Sequence, residues 1–370
     1  MKSKLFKRLP LFSIAFILAS CNLFTENEVP VNSKDSAPQQ GQEDVEEKNN
    51  EATKKSVKQE LTTWFPRKDN VVYSYEGVGN EYATYSWNPQ FNEEDAYQVV
   101  INNGGTVVAE IYEYSADAIT RIFSRPETYF RDNFIEIGSF KENQEEEVIL
   151  KAPIEVGTTW SNGDNNYEIT ALDVEVSAPA GKYTTIEVTV TSDSSVIKRY
   201  YAEDIGLVSE VTETEGLTIE SNLEEIKTET SEILPFTVYV PDKQAMGLDK
   251  VDASLALNTN DPARIAITEL LSGQDSEFPE INILPEGTNI NYLFLNDHQI
   301  VEIDVSSEFV DNMKAGSTGE LFTLYTLVNT LSDYYGTQEV LLTVEGEPYE
   351  GAHMILQEGE TLQFDEEMVN

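Results

Sequence analysis

Apolar and polar residues alternate in short runs over residues 61–228, and the spacing then turns helical in two stretches nearer the C-terminus. Tyr73/Tyr75, Tyr82/Thr84, Val99/Ile101, Val107/Ala109/Ile111, Val174/Val176, Ile186/Val188/Val190 and Val196 mark the alternating runs. Between them lie the turn sequences Gly77-Val78-Gly79-Asn80, Asn102-Asn103-Gly104-Gly105, Asn162-Gly163-Asp164-Asn165 and Pro179-Ala180-Gly181. Period-2 runs separated by Gly/Asn turns predict an antiparallel sheet, strongly curved or half-closed. Residues 213–232 are acidic and sparse in apolar side chains, which places the linker between two domains there.

Beyond residue 236 the pattern changes. A strand is predicted at 236–240, and Asp261-Pro262 reads as an N-cap followed by proline at the first helical position. Ala263, Ala266, Ile267, Leu270 and Leu271 form the stripe of that helix, which Gly273 ends. Strands at 291–295 and 300–305 form a hairpin across the turn Asn296-Asp297-His298-Gln299. Ser317-Thr318-Gly319-Glu320 has the S-x-x-E form of a capping box. Leu321, Leu324, Tyr325, Val328 and Leu331 continue at helical spacing to a stop at Gly336, and a last strand is predicted at 340–344. The order is βαββαβ, a small sheet with both helices on one face. The predicted fold class is therefore α+β, an antiparallel β-rich domain at 61–228 followed by this βαββαβ unit at 236–350, with an acidic tail at 351–370.

The C-terminal unit resembles the GerMN domain. The likeness is carried by A-x-x-x-L-L-S-G from Ala266, L-P-E-G-T from Leu284, I-V-E-I-D-V-S-S-E-F from Ile300, L-x-T-L-V-N-T-L from Leu324 and the V-E-G that begins at Val344. GerMN domains occur in bacterial sporulation and spore-germination proteins and in lipoproteins outside that pathway. The resemblance implies an extracytoplasmic, non-enzymatic interaction module comparable to the ring-building domains of secretion and sporulation complexes. In the first domain, W-x(6)-Y-E-I-T from Trp160, A-P-A-G-K-Y from Ala178 and R-Y-Y-A-E-D-I-G-L-V from Arg199 resemble a recurring β-sheet module of bacterial lipoproteins. That likeness implies no particular chemistry.

The N-terminus decides the compartment. Lys2, Lys4, Lys7 and Arg8 precede an apolar run at 9–18 that is too short to span a bilayer and fits a signal-peptide core. It ends Leu18-Ala19-Ser20-Cys21, which resembles a bacterial lipobox, so residues 1–20 are expected to be cleaved and Cys21 to carry the lipid (a palmitate-type acyl anchor). Cys21 is the single cysteine, which rules out an internal disulfide. Residues 21–60 are polar, acidic and poor in aromatics, and are expected to be a disordered tether holding the folded part off the membrane.

Charge narrows the partners. Of the 24 Lys and Arg, four lie before Cys21, so the mature chain sets 20 bases against 67 acids, a net −47. A field of that sign excludes nucleic acid and direct adhesion to anionic lipid. No D-x-D-x-D-G calcium loop occurs, and two histidines, His298 and His353, are too few for a His-rich metal site. Neither Gly316-Ser317-Thr318-Gly319 nor Gly77-Val78-Gly79 completes a nucleophile elbow or a dinucleotide fingerprint. No metal, cofactor or enzymatic activity is expected.

Three functions stay open. The first is a membrane-anchored lipoprotein of the cell envelope whose GerMN domain docks envelope proteins or its own kind, in sporulation or germination. Its candidate surface is the helix at 318–335 with the preceding hairpin, and the exposed candidates are Asn329, Ser332 and Asp333. The second is a lipoprotein whose curved β domain binds a lipid or other ligand, with Trp64, Trp87, Trp160, Tyr200 and Tyr201 either lining a groove or filling the core. The third is a cell-wall hydrolase using a carboxylate pair.

Overall fold

The computed structural model describes residues 60–138, 146–244, 246–275, 277–278 and 281–370. The leader, Cys21 and, apart from Glu60, the tether lie outside these residues.

A helical turn at 60–64 leads into twelve antiparallel strands that form one sheet. The first six are β1 (Val71–Val78), β2 (Tyr85–Glu93), β3 (Ala96–Asn102), β4 (Val107–Tyr114), β5 (Ala118–Arg125) and β6 (Glu147–Lys151). The second six are β7 (Thr159–Asn162), β8 (Asn165–Ala178), β9 (Gly181–Thr191), β10 (Ser195–Ala202), β11 (Gly206–Thr214) and β12 (Leu217–Thr228). Each half is a meander, and β1 pairs with β12, joining the halves. At the other end β6 and β7 meet without a ladder. There Asn162 Oδ1 accepts from the Val148 amide at 3.0 Å, while Asn162 Nδ2 and Trp160 Nε1 donate to the Val148 carbonyl at 3.0 and 2.8 Å. Side chains thus supply bonds in place of the twelfth pairing that would have closed the sheet, and it becomes barrel-like, with its edges covered.

The turn predictions at Asn102–Gly105 and Asn162–Asn165 coincide with the hairpins β3–β4 and β7–β8. Two expectations change. Tyr82/Thr84 is not a strand, because the Asn80 side chain accepts from the Tyr82 amide and caps a short 3-10 turn, Glu81–Ala83. Residues 213–232 hold the end of β11 and all of β12, which closes the barrel against β1, and the linker expected within them is reduced to residues 229–231. The chain passes from β12 to β13 (Glu232–Pro241) through three residues only.

The C-terminal region departs from the expected single sheet. β13 pairs with an unforeseen strand, β14 (Leu248–Leu257), in a two-stranded sheet of its own. A second sheet holds β15 (Ile290–Leu295), β16 (Ile300–Val305), β17 (Glu339–Val344) and the short β18 (Glu347–Pro348), with β19 (Leu362–Gln363) also on β17. Four helices are described: α1 (Phe134–Ile137) beside the barrel, then α2 (Ala263–Leu271), α3 (Glu308–Asp311) and α4 (Ser317–Tyr335). β16, α4 and β17 form a parallel crossover. α4 ends where Gly336 turns left-handed at φ 65°, a geometry that costs a Cβ-bearing residue.

Three further expectations are corrected. The helix begins after Gly316 with no side-chain cap, because Glu320 turns inward instead of back to the chain start. It is 2% exposed and accepts from the Tyr349 hydroxyl (3.0 Å) and the His353 amide (2.9 Å). Similarly, α2 starts one residue late, with Pro262 as N-cap and Asp261 Oδ2 taken by the Asn258 amide. Residues 351–370 are no tail. Leu356 and Leu362 enter the main core, Phe364 meets Tyr239 edge-on at 5.7 Å, and the Asn370 amide donates to the Leu248 carbonyl.

Candidate functional sites

The main core does not stop at the boundary between barrel and C-terminal region. Ala109 and Ile111 of β4, Phe123 of β5, and Phe130 and Phe134 pack into the same cluster as Phe236, Ile267, Ile303 and Leu331. One extra residue on β5 makes this possible: pairing slips from Ile111↔Phe123 to Tyr112↔Arg121. The bulge turns Arg121 into the barrel and leaves Phe123 outside, facing the neighbouring core.

A buried polar joint sits beside that core. Arg131, whose side chain is fully buried, places Nη1 2.7 Å from Glu232 Oε2 at the start of β13. Its Nη2 donates to the Gln90 and Asn258 carbonyls at 2.8 and 2.6 Å, and the guanidinium lies 5.0 Å over the Phe91 ring. Next to it, Asp132 Oδ2 accepts from the Leu295 amide (3.0 Å) and Oδ1 from the Tyr335 hydroxyl (2.8 Å). Burial pushes the Asp132 carboxyl up to about 7, against the opposing pull of those two hydrogen bonds. Barrel strand β2, hairpin β13–β14, β15 and the end of α4 therefore converge on two consecutive residues.

Gln90 and Glu232, both bonded to Arg131, line a groove of about 790 Å³. Its barrel wall includes Ser86, Asn88, Thr106 and Tyr129, and the facing wall is Ser231–Pro235, Thr237 and Asp333. The facing strand, β13, has β14 on one side only. The Tyr239 amide donates to Thr330 Oγ1 and so points away from β14. By the two-residue period Thr237, Pro235 and Ile233 turn their backbone the same way, into the groove. Pro235 offers no N–H there, as an edge proline must not, and Ile233 is 61% exposed. Of the three surface candidates on the helix, only Asp333 is exposed, and it accepts from the Tyr239 hydroxyl at 3.2 Å. Asn329 and Ser332 are buried, at 0% and 1% exposure, because residues 362–365 cover their face of α4. Asn329 exchanges two hydrogen bonds with the Asp365 backbone.

A second cavity, about 260 Å³, opens inside the barrel. Trp87 and Tyr201 line it, joined by Tyr73, Tyr75, Tyr85 and Tyr112. Trp160 fills the core instead, Trp64 packs against that core from the edge, and Tyr200 donates to Glu187. Beside the cavity an ion ladder runs Glu110–Arg121–Glu147–Arg199–Glu210, with contacts of 2.9, 2.7, 3.2 and 2.8 Å. Burial raises the Glu147 carboxyl, but Arg199 and Arg121 outweigh it and hold the group below the usual carboxylate range. Glu110 also accepts from the Tyr112 hydroxyl. The period-2 alternation marks the aromatic positions in the sequence, but the ladder joins strands far apart in the chain and has no local signal. His298 and His353 are exposed, apart from each other, in a hairpin turn and in the C-terminal segment.

These features define a β-rich protein of two modules, an antiparallel barrel carrying an α/β unit on its outer face. Residues 237–350, within the α/β unit, match the Germane (GerMN) family, described as sporulation and spore germination. Among solved structures the chain is similar to the first GerMN domain of the sporulation protein GerM from Bacillus subtilis, with 21% identity over 31% of this chain and 84% of that one and a TM-score of 0.24. It is also similar to a protein from Bacteroides fragilis described as exported and YmcC-like in fold, at 13% identity over 45% and 99% of the two chains, TM-score 0.28. A protein of Clostridium perfringens described as a lipoprotein shows 16% identity over 36% and 91%, TM-score 0.22. No curated protein sequence matches the chain. Among the described residues no helix is long and apolar enough to cross a membrane.

Proposed function

We propose that this chain is a non-enzymatic lipoprotein of the cell envelope, anchored outside the cytoplasm through Cys21, whose GerMN domain docks another envelope protein in sporulation or germination. The observation that supports this role is the groove between the two modules. One wall is the unpaired edge of β13 and the other is the barrel face, and Arg131 ties the two through Glu232 and the Gln90 carbonyl. An open strand edge offers main-chain partners to an extended segment, and exposed Ile233 offers an apolar contact. The strong negative charge of the chain favours a partner with a basic face. A hydrolytic role is less well supported, because the carboxylates that converge in the barrel are bridged by arginines.

Site-specific photocrosslinking in the native membrane tests the proposal. Probes at Ile233 and Asp333 should capture the same envelope protein, or a second copy of this chain, while a probe at exposed Val156 on the barrel should not. Equal capture from all three positions, or from Val156 alone, would remove the groove from consideration. Cys21→Ser should release the protein from the membrane fraction; retention there would refute the lipid anchor.

A further inference from the structure

We propose that the barrel cavity is a binding site for a small organic ammonium ion with an aromatic or branched apolar body. Three independent observations converge on that chemistry. The first is size and lining. A volume of about 260 Å³ lies between an engineered cavity of about 150 Å³ that takes up benzene and the lower bound of drug-sized pockets at about 300 Å³. It suits a body of one ring and a short arm, and is too small for a diacyl lipid. Tyr75 and Tyr85 stack with centroids 4.4 Å apart and 16° between planes, and Tyr73 meets Trp87 edge-on at 5.3 Å. Ring faces are the negative end of the aromatic quadrupole and attract cations.

The second observation is unpaired hydroxyls. Tyr73 and Tyr201 are 4% and 2% exposed, line the cavity, and make no hydrogen bond among the described residues. Tyr85 has none either. None of these hydroxyl oxygens is sealed off, so each is open to the cavity and free to hydrogen-bond a molecule bound there. Burial pushes the Tyr73 phenol up to about 12, which keeps it neutral and its oxygen free to accept from an ammonium N–H.

The third is charge. The ladder holds three carboxylates and two guanidiniums, a net charge of −1, and its end member, Glu210, lines the cavity. Arg199 Nε engages Glu210 Oε2 at 2.8 Å, and Glu210 Oε1 makes no hydrogen bond among the described residues. An ammonium ion here meets aromatic faces, tyrosine oxygens and an excess carboxylate; an anion of the same shape can accept from the tyrosine hydroxyls but meets the negative ring faces and the excess carboxylate.

Calorimetry and Trp87 fluorescence on the purified full chain test this with three probes of one shape: 2-phenylethylammonium, 2-phenylethanol and 3-phenylpropanoate. The ammonium should bind about tenfold more tightly than the alcohol, and the carboxylate least. Glu210→Gln should bring the ammonium to within about threefold of the alcohol, while unchanged alcohol binding shows that the cavity is intact. The proposal is overturned if the carboxylate binds best, if all three bind equally, or if none binds. It also fails if the preference survives Glu210→Gln, or if decanoate binds and the ammonium does not, which would give the cavity to an acyl chain.

Discussion

The buried joint makes a demanding prediction. Arg131→Met keeps most of the side-chain volume and removes the guanidinium. Glu232, 9% exposed, then loses its 2.7 Å partner and keeps only the Gln90 amide at 3.2 Å. The Gln90 and Asn258 carbonyls lose donors at 2.8 and 2.6 Å. Breaking one side of a buried ion pair costs about 3–5 kcal/mol, and each carbonyl left unpaired adds about 1 kcal/mol or more. Two effects pull the sum back: Nε of Arg131 has no partner in the native state, and the orphaned Glu232 can take up a proton. The net expectation is a loss of about 4 kcal/mol.

Urea unfolding read by two probes measures it. All three tryptophans lie in residues 64–160, so fluorescence follows the barrel module, whereas helical circular dichroism follows chiefly α2 and α4. In the native sequence the two curves should coincide, since core and joint tie the modules together. Arg131→Met should move both to lower urea, and the Arg131→Met/Glu232→Leu pair should cost at least about 1 kcal/mol less than the sum of its single changes. A loss below about 1 kcal/mol for Arg131→Met, or two well-separated native transitions, would refute the view that this joint unites the modules.

Asp132 gives a pH signature. Its carboxyl sits near 7 when folded against 3.8 as the reference, so between those values the folded state holds a proton that the unfolded state has lost, and stability falls as pH rises. The penalty grows by about 1.4 kcal/mol per unit between about pH 4 and 7 and is flat above. Asp132→Asn, which can still accept from Leu295 and donate to Tyr335, should therefore gain on the native protein by about 4 kcal/mol between those limits; a difference that does not change with pH would show that the carboxyl titrates normally. Asn329→Ala should cost about 3 kcal/mol, because the Asp365 N–H and carbonyl lose their partners. Ser332→Ala should be neutral or stabilise by up to about 1 kcal/mol, since its hydroxyl is buried without a partner; equal losses in thermal melts would contradict both assignments. Deleting residues 351–370 should cost about 4 kcal/mol or more by exposing the sites of Leu356 and Leu362, and a deletion that melts like the full chain would mean that the segment is dispensable.

What the chain revealed in advance was what local pattern controls. Leu324, Val328 and Leu331 of the α4 stripe, its stop at Gly336, the hairpin 290–305 and the turns at 102–105 and 162–165 appear where the periodicity places them, whereas Leu321 is exposed and Phe322 and Leu327 are buried in its stead. β12 escaped notice because its apolar content is thin: Leu223 is its one fully buried aliphatic, and Ser221 occupies another buried place by donating to the Ala83 carbonyl. Glu320 matched a capping box in form, but the amide at His353, 33 residues on, competes for it and wins. The same long-range effect buried Asn329 and Ser332, which lie on a polar face of α4 that the segment after 360 returns to cover. Arg131 and Asp132 were invisible for the same reason. Their partners lie up to 203 residues away, and nothing in the sequence around them alternates or repeats.

The two candidate sites share a wall. Along β2, Tyr85 and Trp87 face the barrel cavity, Ser86 and Asn88 face the groove, and Gln90 reaches the joint, with its carbonyl on Arg131. β1 behaves alike, with Tyr73 and Tyr75 inside and Val72 outside. A ligand in the cavity and a partner in the groove would therefore press on opposite faces of the same two strands, separated by one thickness of sheet. Such contact does not by itself make one site respond to the other; that requires two arrangements of β1–β2 which each occupant favours differently. If those arrangements exist, linkage fixes the form of the result: the factor by which 2-phenylethylammonium changes partner affinity must equal the factor by which the partner changes ammonium affinity. Unequal factors would mean that one of the two affinities was not measured at equilibrium. Factors of one in both directions would leave the cavity and the groove as two independent functions on one rigid body.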